Sequence, residues 1–82
     1  MKVWRRVQSY EGCGIVPPYK QITDVDEEGN YYLRSVYANG MVRSEHRMML
    51  VDMGWQSVEE FLRARDGFEL VEEAKEEVQR ES

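Results

Sequence analysis

Residues 31–50 read YYLRSVYANGMVRSEHRMML, and this stretch decides the fold. At its centre is Asn39-Gly40, a dipeptide that accepts the two positive φ angles of a type I′ turn and therefore predicts a two-residue β-hairpin. The residues on either side are rich in β-branched and aromatic types, which are typical of strands. Pairing outward from the turn continues one residue at a time along both strands until Tyr32 lies opposite Arg47.

This register sorts the hairpin side chains onto two faces, because successive residues of a strand point to opposite sides of a sheet. Val36 is expected opposite Arg43, and Arg34 forms an opposite-charge pair with Glu45. The predicted core face collects Tyr31, Leu33, Ser35, Tyr37, Val42, Ser44, His46, Met48 and Leu50. The predicted outer face collects Tyr32, Arg34, Val36, Met41, Arg43, Glu45 and Arg47.

Turn signals upstream extend the hairpin into a larger antiparallel sheet. Residues 26–30, Asp-Glu-Glu-Gly-Asn, predict a type I turn followed by a left-handed glycine. The strand before this turn covers residues 19–25, and a first strand lies near residues 3–9. Paired glycines and prolines over residues 11–18 preclude a long regular element, although a short edge strand over residues 14–16 fits the pattern.

A helical pattern replaces the strand pattern after residue 52. Ser57-Val58-Glu59-Glu60 is a capping box in which Ser57 is the N-cap and Glu60 the N3 partner. The helix is expected to end at Gly67. From Phe68 onward there are two alternatives: a second helix with a Glu-rich side, or a short strand over residues 68–71 that returns to the sheet edge and precedes a solvated tail.

These patterns predict a single α+β domain over residues 1–82. A small antiparallel β-sheet of three to five strands, with a barrel-like form as one version, occupies the β-rich residues 1–51. One or two C-terminal helices follow in the acidic residues 52–82. A chain of 82 residues has room for one modest core and not for two.

Composition excludes several classes of protein. The longest apolar run, residues 48–51, is far shorter than the roughly 20 residues of a membrane-spanning helix. No apolar stretch of signal-peptide length follows the basic start, so we expect a cytoplasmic protein. With one cysteine, Cys13, and one histidine, His46, the chain has no internal disulfide and no Cys/His zinc site, and we expect no cofactor.

The charge is unevenly divided along the chain. Residues 1–51 hold seven Lys and Arg against six Asp and Glu, whereas residues 52–82 hold four against ten. The sequence pI is about 4.8. Because non-specific nucleic-acid binding needs a clustered basic surface, direct binding to nucleic acid is not expected.

The outer face of the hairpin is the leading candidate site. It places guanidinium groups beside an aromatic ring, a composition that is favoured at protein interfaces. The competing interpretation is a solvated face whose arginines bond to nearby acids. The candidate binding residues are Tyr32, Arg34, Met41, Arg43 and Arg47.

Two weaker candidates lie elsewhere. The loop Gly12-Cys13-Gly14 could let its backbone approach an anion such as a nucleotide, although a tight connection between strands is the favoured explanation of the glycines. An enzyme that uses Cys13 with His46 is not expected, because no spacing signature surrounds either residue. An acidic surface at Glu72, Glu73, Glu76 and Glu77 could mimic nucleic-acid phosphates toward a basic partner, or be simply a solvated helix.

The sequence therefore favours a small non-enzymatic protein-interaction module, an inhibitor or modulator of another protein of the kind found among phage and mobile-element accessory proteins. One alternative is a binder or sponge for a small anionic ligand, acting as a homodimer. Another is a nucleic-acid mimic that uses its acidic C-terminal helix. Pairing of an exposed strand edge or of a helix face with a second copy would bury more apolar surface, so a homodimer is one of the expected states.

Overall fold

The computed structural model describes residues 1–72 of the chain. Its elements are β1 (Val3–Tyr10), β2 (Tyr19–Asp26), β3 (Asn30–Tyr37), β4 (Val42–Met49), a 3₁₀ turn (Leu50–Met53), α1 (Val58–Ala64) and β5 (Glu69–Glu72). The strands form one five-stranded sheet in the order β4-β3-β2-β1-β5, and every neighbouring pair is antiparallel. The predicted α+β class is confirmed. The sheet is open, so its barrel-like version is wrong.

The turn between β2 and β3 follows the predicted pattern. The Gly29 N–H donates to the Asp26 carbonyl at 3.1 Å, and Gly29 has a φ of +87°. The Asp26 carboxylate accepts from the backbone N–H groups of Glu28 and Asn30, both at 2.9 Å. A carboxylate that bonds its own loop in this way favours the turn over extended structure, which explains why this turn was predictable.

The tip of the β3–β4 hairpin differs from the predicted type I′ turn. The Gly40 N–H donates to the Tyr37 carbonyl at 2.9 Å, and Gly40 has a φ of +92°, but Asn39 does not have a positive φ. The connection is therefore a three-residue loop, a type I turn followed by a left-handed glycine. The Asn39 side chain accepts from the Met41 N–H at 3.0 Å, and this bond favours a negative φ at Asn39.

A β-bulge then restores the predicted register. Val36 pairs with Val42 and Ser35 pairs with Ser44, so Arg43 is left without a partner on β3. From the Ser35–Ser44 pair to the Tyr32–Arg47 pair the predicted register is confirmed. The predicted pairing of Val36 with Arg43 is wrong, because the extra loop residue shifts the tip of the hairpin by one position.

We call the side of the sheet that carries Val25 the inner face and the side that carries Asp24 the outer face. Val25, Leu50 and Phe61 form the buried core and are 0–2% exposed. The Phe61 ring makes edge contacts with Tyr31 at 6.0 Å and Trp55 at 5.4 Å between centroids. The core therefore lies between the inner face and the segments that follow β4.

The inner face is covered at one end only. Met48 pairs with Tyr31 and so lies on the predicted face, but its side chain is 43% exposed. His46 is also exposed. Both belong to β4, the edge strand farthest from β1 and β5, so their predicted burial in the core is wrong although their face is right. Val42 pairs with Val36 on the outer face, which also corrects its place in the predicted core.

The helix begins after Ser57, as the capping box predicts. The Ser57 hydroxyl accepts from the Glu60 N–H at 3.0 Å, whereas the Glu60 carboxylate reaches back to the Gln56 N–H at 2.8 Å instead of the Ser57 N–H. The helix ends at Ala64, earlier than Gly67, because Arg65 is already extended. Gly67, with a φ of +92°, lies in the turn toward β5.

The chain after Phe68 returns to the sheet as β5, which pairs with β1. The strand alternative is confirmed, and a helix over residues 69–72 is wrong. The predicted division of the chain into β-rich residues 1–51 and helical residues 52–82 must be corrected for the same reason. The remainder of the predicted second helix or tail, residues 73–82, lies outside the described residues.

Candidate functional site

The outer face of the sheet has no layer over it within residues 1–72. All members of the core cluster lie on the inner face or in the segments that pack on it. A bare sheet face is compatible with solvent only when its side chains are mostly polar. The outer face meets that condition on one half and departs from it on the other.

The polar half is organised around Asp24 on the central strand β2. Its carboxylate accepts two bonds from Arg5, at 2.7 and 3.0 Å, and one from Arg34 at 3.3 Å. The Asp24 side chain is 16% exposed, so these bonds are partly shielded from water. One carboxylate thus holds two guanidinium groups from β1 and β3 in place.

Tyr32 is the centre of a second group of contacts on the same half. The guanidinium carbons of Arg34 and Arg47 lie 5.2 and 4.0 Å from the centroid of its ring. Its hydroxyl donates to Glu45 at 2.8 Å, and Arg47 lies 3.8 Å from the same carboxylate. We call Tyr32, Arg34, Glu45 and Arg47 the arginine–tyrosine cluster. Because the Arg47 side chain is 72% exposed, its N–H groups are presented to solvent.

The other half of the outer face is apolar. Val7 is 50% exposed and Val42 is 52% exposed. A concavity of about 660 Å³ lies at this end of the sheet. It is lined by the outer-face residues Ser9, Lys20, Ile22 and Val36, by the inner-face tyrosines Tyr10, Tyr19 and Tyr37, and by the adjoining loops. We call this the apolar concavity. Exposed apolar side chains that adjoin one another in a concave surface are characteristic of binding sites.

The structure brings together three of the five predicted binding residues. Tyr32, Arg34 and Arg47 form the arginine–tyrosine cluster, as the register predicted. Arg43 does not join them: its guanidinium carbon lies 4.7 Å from the ring centroid of Tyr19, an inner-face side chain, because the bulge turns it to that side. Met41, at the tip of the hairpin, is 63% exposed.

A row of tyrosines on the inner face was missed by sequence reasoning. Tyr10, Tyr19 and Tyr37 lie side by side on β1, β2 and β3. The rings of Tyr10 and Tyr19 are stacked, with centroids 5.1 Å apart. The chain's five tyrosines were the only sequence signal, because the long loop between β1 and β2 carries no turn signature that would set their register.

The Gly12-Cys13-Gly14 loop is tied to itself. The Cys13 N–H donates to the Val16 carbonyl at 3.0 Å, and the Val16 N–H returns to the Cys13 carbonyl at 2.9 Å. Instead of the predicted edge strand over residues 14–16, the loop therefore forms a single bridge, with Ile15 97% exposed at its tip. The N–H groups of Cys13 and Val16 both donate to carbonyl groups within the loop. Anion binding by this loop stays a prediction.

The structure does not bring the residues of the other candidate sites together. Cys13 is exposed in the β1–β2 loop, whereas His46 lies on β4. Glu72 ends β5, and Glu73, Glu76 and Glu77 lie outside the described residues. Within residues 1–72 there is no group of His, Cys, Asp and Glu side chains that could hold a metal ion, and no helix long and apolar enough to cross a membrane.

Comparison with known proteins identifies no relative of this chain. No protein-family model matches the chain, and neither curated proteins nor solved structures include a significant match to it.

Proposed function

We propose that the protein is a small non-enzymatic interaction module that binds another protein through the outer face of its sheet. One observation carries the proposal: outer-face residues that line the apolar concavity, among them Ile22 and Val36, share one uncovered face with the arginine–tyrosine cluster. Protein interfaces combine an apolar centre with Arg and Tyr side chains in this way.

The two halves of the face have different roles in binding. The apolar concavity, floored by Ile22 and Val36, receives an aliphatic or aromatic side chain of the partner, and burial of that side chain provides most of the affinity. Arg47 at the edge of the cluster bonds a carboxylate or carbonyl group of the partner, which fixes its orientation.

The arginine–tyrosine cluster is suited to this role because part of it is ordered before binding. Arg34 is held by Asp24, so little of its side-chain freedom remains to be lost. Arg47 lies over the Tyr32 ring, and its contact with Glu45 is long and exposed, at 3.8 Å. An exposed ion pair of this kind contributes little to stability and exchanges readily for a contact with a partner. Binding without chemistry then makes the module an inhibitor or modulator of its partner.

A displayed library of random peptides tests the proposal without knowledge of the natural partner. Peptides selected on the immobilised protein should carry an aliphatic or aromatic residue close to an acidic one. Their affinity should fall at least about tenfold for Val36→Glu, which places a charge in the apolar concavity, and for Arg47→Glu. Circular dichroism of each variant checks that the sheet is intact.

Arg63→Glu is the matched control. It makes the same change of charge at an exposed residue of α1, which packs on the inner face and supplies no lining residue of the apolar concavity. Peptide affinity should therefore be unchanged in this variant. The proposal is wrong if the library yields no binder, or if the selected peptides bind the two outer-face variants as tightly as the natural sequence.

A further inference from the structure

The strand β4 has a free edge. It is the last strand in the sheet order, and over residues 1–72 no element pairs with its outer side. Its eight residues thus leave a row of backbone N–H and C=O groups without strand partners, which is the arrangement that accepts another strand. Three of its apolar side chains, Val42, Met48 and Met49, are 38–52% exposed.

A second copy of the chain can pair with this edge in only a few registers. A two-fold axis perpendicular to the sheet makes the two β4 strands antiparallel and keeps each inner face beside the other inner face. Each such register is centred on one residue, which then lies opposite itself. The charges on β4 distinguish these registers, since like charges in opposite positions are unfavourable.

Centring the pair on Glu45 places two carboxylates opposite each other, and centring it on Arg47 does the same with two guanidinium groups. Centring on Ser44 pairs Arg43 with Glu45, but the bulge has turned Arg43 to the inner face while Glu45 lies on the outer face. Centring on His46 places Glu45 of each copy opposite Arg47 of the other. This register also allows pairing over residues 43–49, nearly the whole strand.

We propose that the protein forms a two-fold symmetric homodimer by antiparallel pairing of β4 with β4 of a second copy, centred on His46. The Glu45 carboxylate is already oriented on the outer face by the Tyr32 hydroxyl at 2.8 Å. Arg47 lies over the Tyr32 ring, and its exposed 3.8 Å contact with Glu45 can be exchanged for one with Glu45 of the second copy. The two sheets then form one ten-stranded sheet, with the two arginine–tyrosine clusters side by side. The dimer shares Arg47 with the proposed function but does not involve the apolar concavity, none of whose lining residues belongs to β4.

Disulfide trapping tests the register directly. In a Cys13→Ser background, His46→Cys places a thiol opposite its own copy, at a spacing close to that of a disulfide. Mild oxidation should convert most of this variant to a covalent dimer. Ser44→Cys is the matched control, because residue 44 lies opposite residue 48 and two residues away from the axis. Absence of cross-linking at position 46, or equal cross-linking at both positions, overturns the proposal.

Exchanging the charges of Glu45 and Arg47 tests their proposed contact across the dimer interface. Glu45→Arg and Arg47→Glu should each raise the dimer dissociation constant about tenfold, since each brings like charges together at two places in the interface. The double variant, Glu45→Arg with Arg47→Glu, should return it to within about threefold of the natural value. Sedimentation equilibrium over a concentration series measures all three constants.

The sedimentation results also separate this proposal from the proposed function. Val36→Glu should lower peptide affinity at least about tenfold and leave the dimer dissociation constant unchanged. A monomer at every concentration, or a double variant as weak as the single ones, overturns the dimer, whatever the peptide selection shows.

Discussion

At the scale of the residue, Asn39 determines the face on which Arg43 lies. Its side chain accepts from the Met41 N–H, and the hairpin therefore turns with three loop residues instead of two. The bulge that compensates for the extra residue turns Arg43 to the inner face. One local hydrogen bond thus separates Arg43 from Arg47, four residues away, and reduces the predicted cluster of three arginines to two.

Gly12 is required by the space around it as well as by its backbone angle. Its φ is +85°, and a Cβ there would lie 2.3 Å from the Val16 carbonyl oxygen. Gly14 has a φ of +58°, but apart from its two chain neighbours no described residue would come within 4 Å of a Cβ there. We expect Gly14→Ala to lower the free energy of unfolding by about 1 kcal/mol, the cost of a left-handed alanine, and Gly12→Ala to lower it by more.

Urea denaturation of the two glycine variants measures this difference. If both alanines cost the same, the close approach of Gly12 to the loop backbone does not contribute to stability.

Thr23 is a buried residue whose hydroxyl lacks a hydrogen bond. It is 1% exposed, and its Oγ1 atom has no partner among the described residues. Thr23→Val removes the unpaired hydroxyl and keeps the β-branched shape, so we expect the free energy of unfolding to rise by about 1 kcal/mol. In a domain of this size that corresponds to a melting temperature higher by about 4–8 °C.

Thr23→Ser is the control for this prediction. It keeps the hydroxyl and removes the methyl group, and it should therefore lower the melting temperature. A valine variant that melts below the natural protein would show that the hydroxyl does find a partner in solution.

At the scale of the element, α1 depends on its cap because it has only seven residues. A helix this short is unstable by itself in water and is formed by its N-cap and its packing. Its first turn has the Ser57 hydroxyl on the Glu60 N–H and the Glu60 carboxylate on the Gln56 N–H. Phe61 on the following turn joins it to the core.

Ser57→Ala should lower the free energy of unfolding by about 1 kcal/mol, because the Glu60 N–H loses its acceptor. Ser57→Asp should restore most of this loss, since aspartate is an equally good N-cap residue and interacts favourably with the start of the helix. Thermal denaturation followed by far-ultraviolet circular dichroism compares the three proteins. An aspartate variant as unstable as the alanine variant would argue against the cap.

At the scale of the whole molecule, stability is concentrated at one end of the inner face. Phe61 is 2% exposed and contacts Trp55, Tyr31 and Phe68 through its ring. The far end of the same face, where the tyrosine row lies, has no helix over it among the described residues. A single aromatic side chain therefore joins the helix, the 3₁₀ turn region and the sheet.

Phe61→Ala should cost about 3–5 kcal/mol, a large part of the 5–15 kcal/mol that is typical of a small domain. Chemical denaturation should show a lower midpoint or no folded baseline. Ile15→Ala is the control, because Ile15 is 97% exposed and its loss should leave the midpoint unchanged. Equal denaturation midpoints for Phe61→Ala and Ile15→Ala would show that Phe61 is not part of the stabilising core.

The sequence by itself determined those features that depend on bonds between near neighbours. The Asp26–Asn30 turn, the Ser57 cap, the central register of β3 with β4, and the pairing of Tyr32 with Arg47 all follow from residues a few positions apart or from counting outward from one turn. Three members of the candidate site were therefore predictable. Predicting these three residues required only the correct register over the middle of the β3–β4 hairpin.

Only the tertiary structure decided which faces are covered and which strands meet across long loops. The stacking of Tyr10 on Tyr19, the return of residues 69–72 to β1 as β5, and the exposure of His46 and Met48 depend on contacts between distant parts of the chain. Amphipathic patterning indicates that a side chain has an apolar neighbourhood, but it does not say which element supplies it. The residues of the outer face could be identified from the sequence. That no layer covers this face within residues 1–72 could be seen only in the tertiary structure.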